Sequence, residues 1–121
     1  MKILAVDDSR LMHKMYEVML RQHQVLHAYD GRDALTQLWE HGDTSLVLLD
    51  INMPGMDGLE FLAERRGDAR IRDLPVIVIS TEGRDEDTAR ALELGADAYI
   101  KKPFQTVELN DAIGRVTGEA G

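Results

Sequence analysis

Three aspartates, a serine and a lysine are the side chains whose types and positions suit one common chemistry. Asp7 and Asp8 follow one apolar run, Asp50 follows another, and Ser80 and Lys102 end or follow two more. Three carboxylates a few ångströms apart cannot all stay ionised without a counter-charge, so they share protons or hold a cation. Oxygen-only ligands favour a hard ion, so we expect Mg²⁺, with Mn²⁺ as an alternative.

An aspartate beside such a metal, with an amine and a hydroxyl facing the same point, can attack a phosphoryl group to give an aspartyl phosphate. The sequence predicts Asp50 as the nucleophile, and Asp7 and Asp8 as metal ligands together with the Asp50 carboxylate. Ser80 and Lys102 would bind the phosphoryl oxygens. Positioning and charge stabilisation supply most of the catalysis of phosphoryl transfer, so few residues suffice.

The elements that must position these side chains alternate along the chain. Apolar runs of strand length are each followed by a turn signal and a stretch with helical spacing. The predicted strands are residues 3–6, 24–29, 46–49, 76–79 and 99–101. This order predicts an α/β fold with a five-stranded parallel sheet, doubly wound and flavodoxin-like, in which ligands bind at the carboxyl ends of the strands.

Helical spacing also predicts which side chains the helices bury. On the first helix the predicted apolar face comprises Leu11, Met12, Met15, Val18 and Met19. The third helix should bury Leu59, Leu62 and Ala63, and the last helix Val107, Leu109, Ala112, Ile113 and Val116. The histidines are expected to lie away from the site, in structural roles: His13, His23, His27 and His41.

Composition excludes several classes of protein. The chain has 121 residues and a net charge of −8, which indicates a single acidic domain over residues 1–121, with residues 118–121 frayed, and argues against binding to nucleic acid. The absence of cysteine excludes disulfides and thiolate chemistry and suits the cytoplasm. The longest early apolar run is residues 3–6, so neither a signal peptide nor a membrane span is expected.

Four motifs resemble the receiver domains of two-component response regulators, most closely those of the chemotaxis class. They are V-D-D-S at 6–9, L-D-I-N-M-P-G-M-D-G at 49–58, V-I-S-T-E at 78–82 and Y-I-K-K-P-F at 99–104. The resemblance covers essentially the whole chain and implies a (βα)5 fold. It also implies that the protein catalyses only its own phosphorylation and dephosphorylation and is not a turnover enzyme.

The resemblance implies roles for individual residues. Asp50 would accept a phosphoryl group from a histidine kinase or phosphotransfer protein. Asp8 would bind the metal directly, Asp7 partly through water, and Asn52 through its backbone carbonyl. The bond between Lys102 and Pro103 would be cis.

The resemblance further implies a switch and a timer. Ser80 and Tyr99 would form the switch pair that rearranges the surface of the fourth helix, fifth strand and fifth helix for a downstream protein. Asn52, Thr81 and Glu82 would tune dephosphorylation, and Thr81 stands where many members carry a smaller residue. Ala98 stands where members that dimerise through this surface often carry an acid, so a monomer is expected.

Other functions stay open. The chain could be a scaffold that works without phosphorylation, or the receiver part of a larger regulator. A phosphatase that uses an aspartate nucleophile generally needs a second carboxylate two residues later as general acid, and Asn52 occupies that place. A flavodoxin-like cofactor domain needs a phosphate-binding loop after the first strand, where Asp7 and Asp8 repel phosphate.

Overall fold

The predicted sheet of five parallel strands is present. A computed structural model describes residues 1–53, 55–81 and 85–118. Within them the chain forms one parallel sheet in the order β2-β1-β3-β4-β5. The strands are β1 Lys2–Val6, β2 Gln24–Ala28, β3 Leu46–Leu49, β4 Val76–Ser80 and β5 Ala98–Lys101. The α/β doubly wound prediction is therefore confirmed.

A helix follows each strand, and most helices begin at a side chain that binds the first turn. The helices are α1 Arg10–Met19, α2 Gly31–Glu40, α3 Gly58–Arg66, α4 Asp85–Glu93 and α5 Thr106–Thr117. The side chains of Ser9, Asp30 and Asp57 accept N–H bonds at the starts of α1, α2 and α3. Such caps satisfy N–H groups that have no partner within the helix.

Helices cover both faces of the sheet. Helices α2, α3 and α4 pack on one face, where the core includes Leu35, Phe61 and Ala91. Helices α1 and α5 pack on the other, where it includes Tyr16 and Leu109. Strands β3 and β4 are buried along their whole length, as expected for central strands covered on both sides.

The predicted apolar face of α1 is wrong. Leu11 is 68% exposed and Val18 60%, whereas His13 and Tyr16 are buried. Met15 is also exposed, and of the predicted face only Met12 and Met19 pack partly against the core. The helix is turned so that the large Tyr16 ring fills the space beside α5, where it stacks on Phe104 at 6.4 Å between ring centroids.

Two smaller differences concern α3 and α5. On α3, Phe61 and Leu62 are buried, while Ala63 is exposed. On α5, Val107 is 67% exposed, because it lies two residues before the buried Leu109 and so on the opposite side of the helix. No helix among the described residues is both long enough and apolar enough to span a bilayer.

Helix α5 ends at Gly118, which has a φ of +76° and donates its N–H to the Gly114 carbonyl. A left-handed glycine at this place is a common helix end. The predicted fraying of residues 118–121 otherwise falls on residues 119–121, which lie outside the described residues.

Candidate functional site

The three predicted acids meet at the carboxyl edge of the sheet. Asp7 follows β1 and Asp50 follows β3, and these two strands are neighbours. The Asp50 N–H donates to the Val6 carbonyl at 2.9 Å, which holds the end of β3 against that of β1. One carboxylate oxygen from each of Asp7, Asp8 and Asp50 lies within 4.8 Å of the others. The topology rule therefore located this acidic cluster correctly.

Lys102 belongs to the same cluster. Its Nζ lies 2.7 Å from Asp7 Oδ2 and 3.8 Å from Asp50 Oδ2, and its side chain is largely buried. Its backbone N–H donates to the Ser80 carbonyl at 3.0 Å, which fixes the lysine to the end of β4. The bond between Lys102 and Pro103 is cis, as the resemblance implied. One partly buried cation thus lies within 4 Å of two of the three carboxylates.

The surroundings of Asp50 oppose its negative charge. The residue is 8% exposed, and burial raises the pKa of its carboxyl to about 6. The positive charge of Lys102 lowers this pKa, and the negative charges of Asp7 and Asp8 raise it. The Asn52 N–H donates to Asp50 Oδ1 at 3.3 Å. At neutral pH the carboxylate is ionised, although its charge is poorly compensated by the protein alone.

Asp7 and Asp8 lie in different environments. Asp7 is 1% exposed and both its carboxylate oxygens are engaged: Oδ1 accepts from the Ser9 N–H at 2.8 Å and Oδ2 binds Lys102. Asp8 is exposed.

The donor set fits a hard divalent cation. Every side-chain donor in the cluster is a carboxylate oxygen, and the Asn52 backbone is adjacent. Three acids beside one lysine leave net negative charge in a partly buried place, which a divalent ion would compensate. Receiver domains bind Mg²⁺ at such a cluster, and here it would be held by Asp7, Asp8 and Asp50.

The loop after Asp50 turns back onto the backbone of Asp50. The Gly58 N–H donates to the Ile51 carbonyl at 2.9 Å. A Cβ at residue 58 would lie 2.5 Å from the Asp50 carbonyl oxygen and 2.7 Å from the Ile51 Cα. Only glycine allows α3 to begin this close to Asp50.

The predicted switch and timer residues differ in burial where the structure describes them. Ser80 is fully buried at the end of β4, and Tyr99 is half-buried and packs against the core on the α2-α3-α4 face. Asn52 and Thr81 are exposed. Glu82 lies outside the described residues. The switch and timer roles of these residues stay predictions.

Sequence reasoning missed two buried residues of α1. His13 was expected away from the site, yet its Nε2 lies 2.7 Å from the Asp7 backbone carbonyl. Tyr16 is 2% exposed, and burial, with the charges of Asp7 and Asp50, raises the pKa of its phenol well above the usual range. Residues 13, 16 and 20 follow helical spacing, so a second possible face was present in the sequence.

The family model for the response regulator receiver domain matches residues 3–114. The chain belongs to this family. Receiver domains of this type are signalling proteins rather than turnover enzymes, and they work with histidine kinases and downstream targets.

Several individual relatives agree with this assignment. The chain is 36% identical to chemotaxis protein CheY1 of Helicobacter pylori over 121 residues, covering 98% of each chain. The solved structure of Vibrio cholerae chemotaxis protein CheY4 matches with a TM-score of 0.87 and 32% identity, over 95% of this receiver domain and 97% of that chain. The Mn²⁺-bound form of response regulator Rcp1 matches with a TM-score of 0.76 and 29% identity, over 97% and 89%.

Proposed function

We propose that this receiver domain accepts a phosphoryl group on Asp50 from a phosphohistidine and thereby changes its affinity for a downstream protein. The observation that carries the proposal is the meeting of three carboxylates within 4.8 Å with Lys102, whose Nζ lies 2.7 Å from Asp7 and 3.8 Å from Asp50. A turnover phosphatase lacks support here because Asn52 replaces the general acid.

The transfer would use residues at the carboxyl edge of the sheet. An ionised Asp50 oxygen attacks phosphorus, the N–P bond of the phosphohistidine breaks, and its electron pair returns to the imidazole nitrogen. Lys102 and the Ser80 hydroxyl bind the phosphoryl oxygens. A divalent ion held by Asp7, Asp8, Asp50 and the Asn52 carbonyl supplies charge neutralisation when bound. The similarity to the Mn²⁺-bound structure of Rcp1 supports a divalent ion here, and we propose Mg²⁺.

The donor would dock at α1, beside the acidic cluster. Leu11, Met15 and Val18 are exposed on α1 at helical spacing. An apolar strip on a helix next to the acceptor suits a histidine kinase or a phosphotransfer protein that presents a helical surface.

We propose that the α4-β5-α5 face binds the downstream protein. Ser80 ends β4, and Tyr99 on the neighbouring strand β5 pairs with Val78, two residues before Ser80. Leu92 and Val107 are exposed on α4 and α5. We propose that phosphorylation moves the Ser80 hydroxyl and turns the Tyr99 ring, which changes this face for a protein partner. Ala98 lies on β5, and we propose that the domain acts as a monomer in the cytoplasm.

We propose that three residues that follow β3 and β4 in the sequence set the rate of dephosphorylation. Asn52 and Thr81 are exposed, and Glu82 follows Thr81 in the sequence. We propose that these three side chains order or obstruct the attacking water.

The test is the intact mass of the protein after incubation with acetyl phosphate, with Mg²⁺ and with a chelator. We expect one added phosphoryl group that requires Mg²⁺ and is absent in Asp50→Asn. Asp43→Asn is the matched control, since it makes the same chemical change at an exposed residue paired with Lys2. Asp43→Asn should be phosphorylated like wild type.

The outcomes separate the candidate functions. Phosphorylation that persists in Asp50→Asn would show that another residue accepts the phosphoryl group. If neither acetyl phosphate nor a phosphorylated kinase adds mass in any condition, the protein is a scaffold that works without phosphorylation.

A further inference from the structure

A chain of three polar contacts runs from the acidic cluster into the α1 and β2 interface. His13, 4% exposed on α1, places its Nε2 at 2.7 Å from the Asp7 carbonyl oxygen. Its Nδ1 lies 2.6 Å from the Nδ1 of His27 on β2. The Nε2 of His27 lies 2.6 Å from Oε1 of Glu17, one helical turn further along α1.

The chemistry of the acceptor fixes the orientation of the first ring. A carbonyl oxygen only accepts hydrogen bonds, so the Nε2 of His13 carries the proton and donates to Asp7. The Nδ1 of His13 contacts the Nδ1 of His27, whose Nε2 donates to the Glu17 carboxylate. The three hydrogen bonds together use three ring protons, so one of the two rings is an imidazolium when all three form. The ring of Tyr29 closes the remaining side at 4.4 Å between ring centroids. His13 is therefore locked in one position.

The hydrogen bond from His13 Nε2 ends on the backbone of the loop that carries Asp7 and Asp8, two of the three acids. Asp7 and Asp8 leave β1 without regular structure until Ser9 caps α1. On its N–H side the Asp7 peptide is anchored to the Ala28 carbonyl at 3.1 Å. The bond from His13 anchors the following peptide, which joins Asp7 to Asp8. That peptide's orientation sets where the Asp8 carboxylate lies relative to Asp7.

We propose that His13 is a positioning residue for the metal site, acting through its Nε2–H bond to the Asp7 carbonyl, with His27 and Glu17 holding its ring. This inference rests on the proposed function. Groups that orient metal ligands from the next layer outward affect metal affinity without touching the ion. The residue does not contact the phosphoryl group, so it should affect Mg²⁺ affinity and not the rate at saturating Mg²⁺.

Two substitutions of similar size and polarity test the roles of the two ring nitrogens of His13 separately. In His13→Gln the amide nitrogen can take the place of Nε2 and donate to Asp7. In His13→Asn it can take only the place of Nδ1, toward His27. A role limited to packing predicts the same effect for both, and His41→Asn, at a partly exposed helix end, controls for loss of a histidine elsewhere.

The measurement is Mg²⁺ binding by isothermal titration calorimetry, alongside the Mg²⁺ dependence of phosphorylation by acetyl phosphate. We expect His13→Asn to bind Mg²⁺ about tenfold more weakly, while His13→Gln and His41→Asn stay close to wild type. The Mg²⁺ concentration for half-maximal phosphorylation should rise in His13→Asn, with the rate at saturating Mg²⁺ unchanged. Circular dichroism and urea unfolding verify that each variant folds.

The outcomes distinguish this inference from the proposed function. If wild type binds Mg²⁺ and His13→Asn and His13→Gln bind it equally well, or equally poorly, His13 has no positioning role. If wild type binds no Mg²⁺, the metal site fails and this inference fails with it. If His13→Asn changes only the saturating rate, His13 acts on the chemistry rather than on the metal ligands.

Discussion

Asp50 is buried, and the positive charge of Lys102 beside it is shared with Asp7. Lys102 lies closer to Asp7 than to Asp50, at 2.7 Å against 3.8 Å, so its charge is directed mainly at Asp7. Burial therefore dominates, and the pKa of Asp50 rises to about 6. Ionised Asp50 therefore lowers the stability of the metal-free protein at neutral pH.

This cost gives a pH-dependent prediction for Asp50→Asn. The folded pKa of about 6 lies above the ordinary value of 3.8, so wild type loses stability as pH rises between these values. With a chelator present, Asp50→Asn should have a free energy of unfolding about 2 to 3 kcal/mol above wild type at pH 7.5. The difference should vanish near pH 4. Urea unfolding at several pH values measures it.

The matched control is again Asp43→Asn. Removing any negative charge from a protein of net charge −8 reduces self-repulsion, so a general charge effect would stabilise both variants alike. Asp43 is exposed and bound to Lys2, which lowers the pKa of its carboxyl. Its substitution should not stabilise the protein at pH 7.5. Equal gains in both variants would contradict a specific cost at Asp50.

At the scale of elements, the loop between β3 and α3 sets the position of Asp50. Helix α3 begins at Gly58 directly against the Asp50 carbonyl and Ile51 Cα. Its start is fixed by a capping box, in which the Asp57 and Glu60 side chains each accept the other's backbone N–H. The start of α3 and the Asp50 backbone therefore cannot move independently.

Gly58→Ala should displace the Asp50 backbone. The added Cβ meets backbone atoms at 2.5 and 2.7 Å, which cannot rotate away. We expect a loss of about 1 to 3 kcal/mol in the free energy of unfolding and slower phosphorylation by acetyl phosphate. Urea unfolding and intact mass against time measure the two effects.

Gly67→Ala is the control at the other end of the same helix. A Cβ there meets only the Glu64 carbonyl, at an ordinary 3.7 Å, and the φ of −85° is open to any residue. Its stability and phosphorylation should match those of wild type. If the two alanine variants behave alike, the close approach at Gly58 has no bearing on Asp50.

At the scale of the whole molecule, the charge distribution couples metal binding to folding. The net charge is −8, and three acids concentrate part of it at one edge of the sheet. The unfolded chain does not hold these three carboxylates together. A cation bound there therefore stabilises the folded state by mass action.

Mg²⁺ should raise the free energy of unfolding, by about 2.7 kcal/mol at a hundred times its dissociation constant. The gain should be smaller at pH 5 than at pH 8, because Asp50, with a pKa of about 6, must release its proton to bind the metal. Urea unfolding measures the gain. NaCl at equal ionic strength is the control, and an equal gain in NaCl would show screening rather than binding.

The sequence by itself determined the fold and the edge of the sheet that carries the acids. Alternating strand and helix patterns leave few arrangements for a parallel sheet, because crossovers between parallel strands share one handedness. Carboxyl ends of parallel strands then lie at one edge, so the sequence places Asp7, Asp50 and Lys102 along the same edge of the sheet.

Only the tertiary structure decided which face of α1 is buried and which acid Lys102 pairs with. Leu11 and Val18 satisfy the helical pattern as well as His13 and Tyr16 do, and the choice depends on space between α1, α5 and the sheet. The bond from His13 to Asp7 and the 2.7 Å pair of Lys102 with Asp7 arise from side-chain positions fixed by several elements at once. The periodicity of apolar residues along one helix or strand indicates which side chains are buried. It does not indicate which residues those side chains contact.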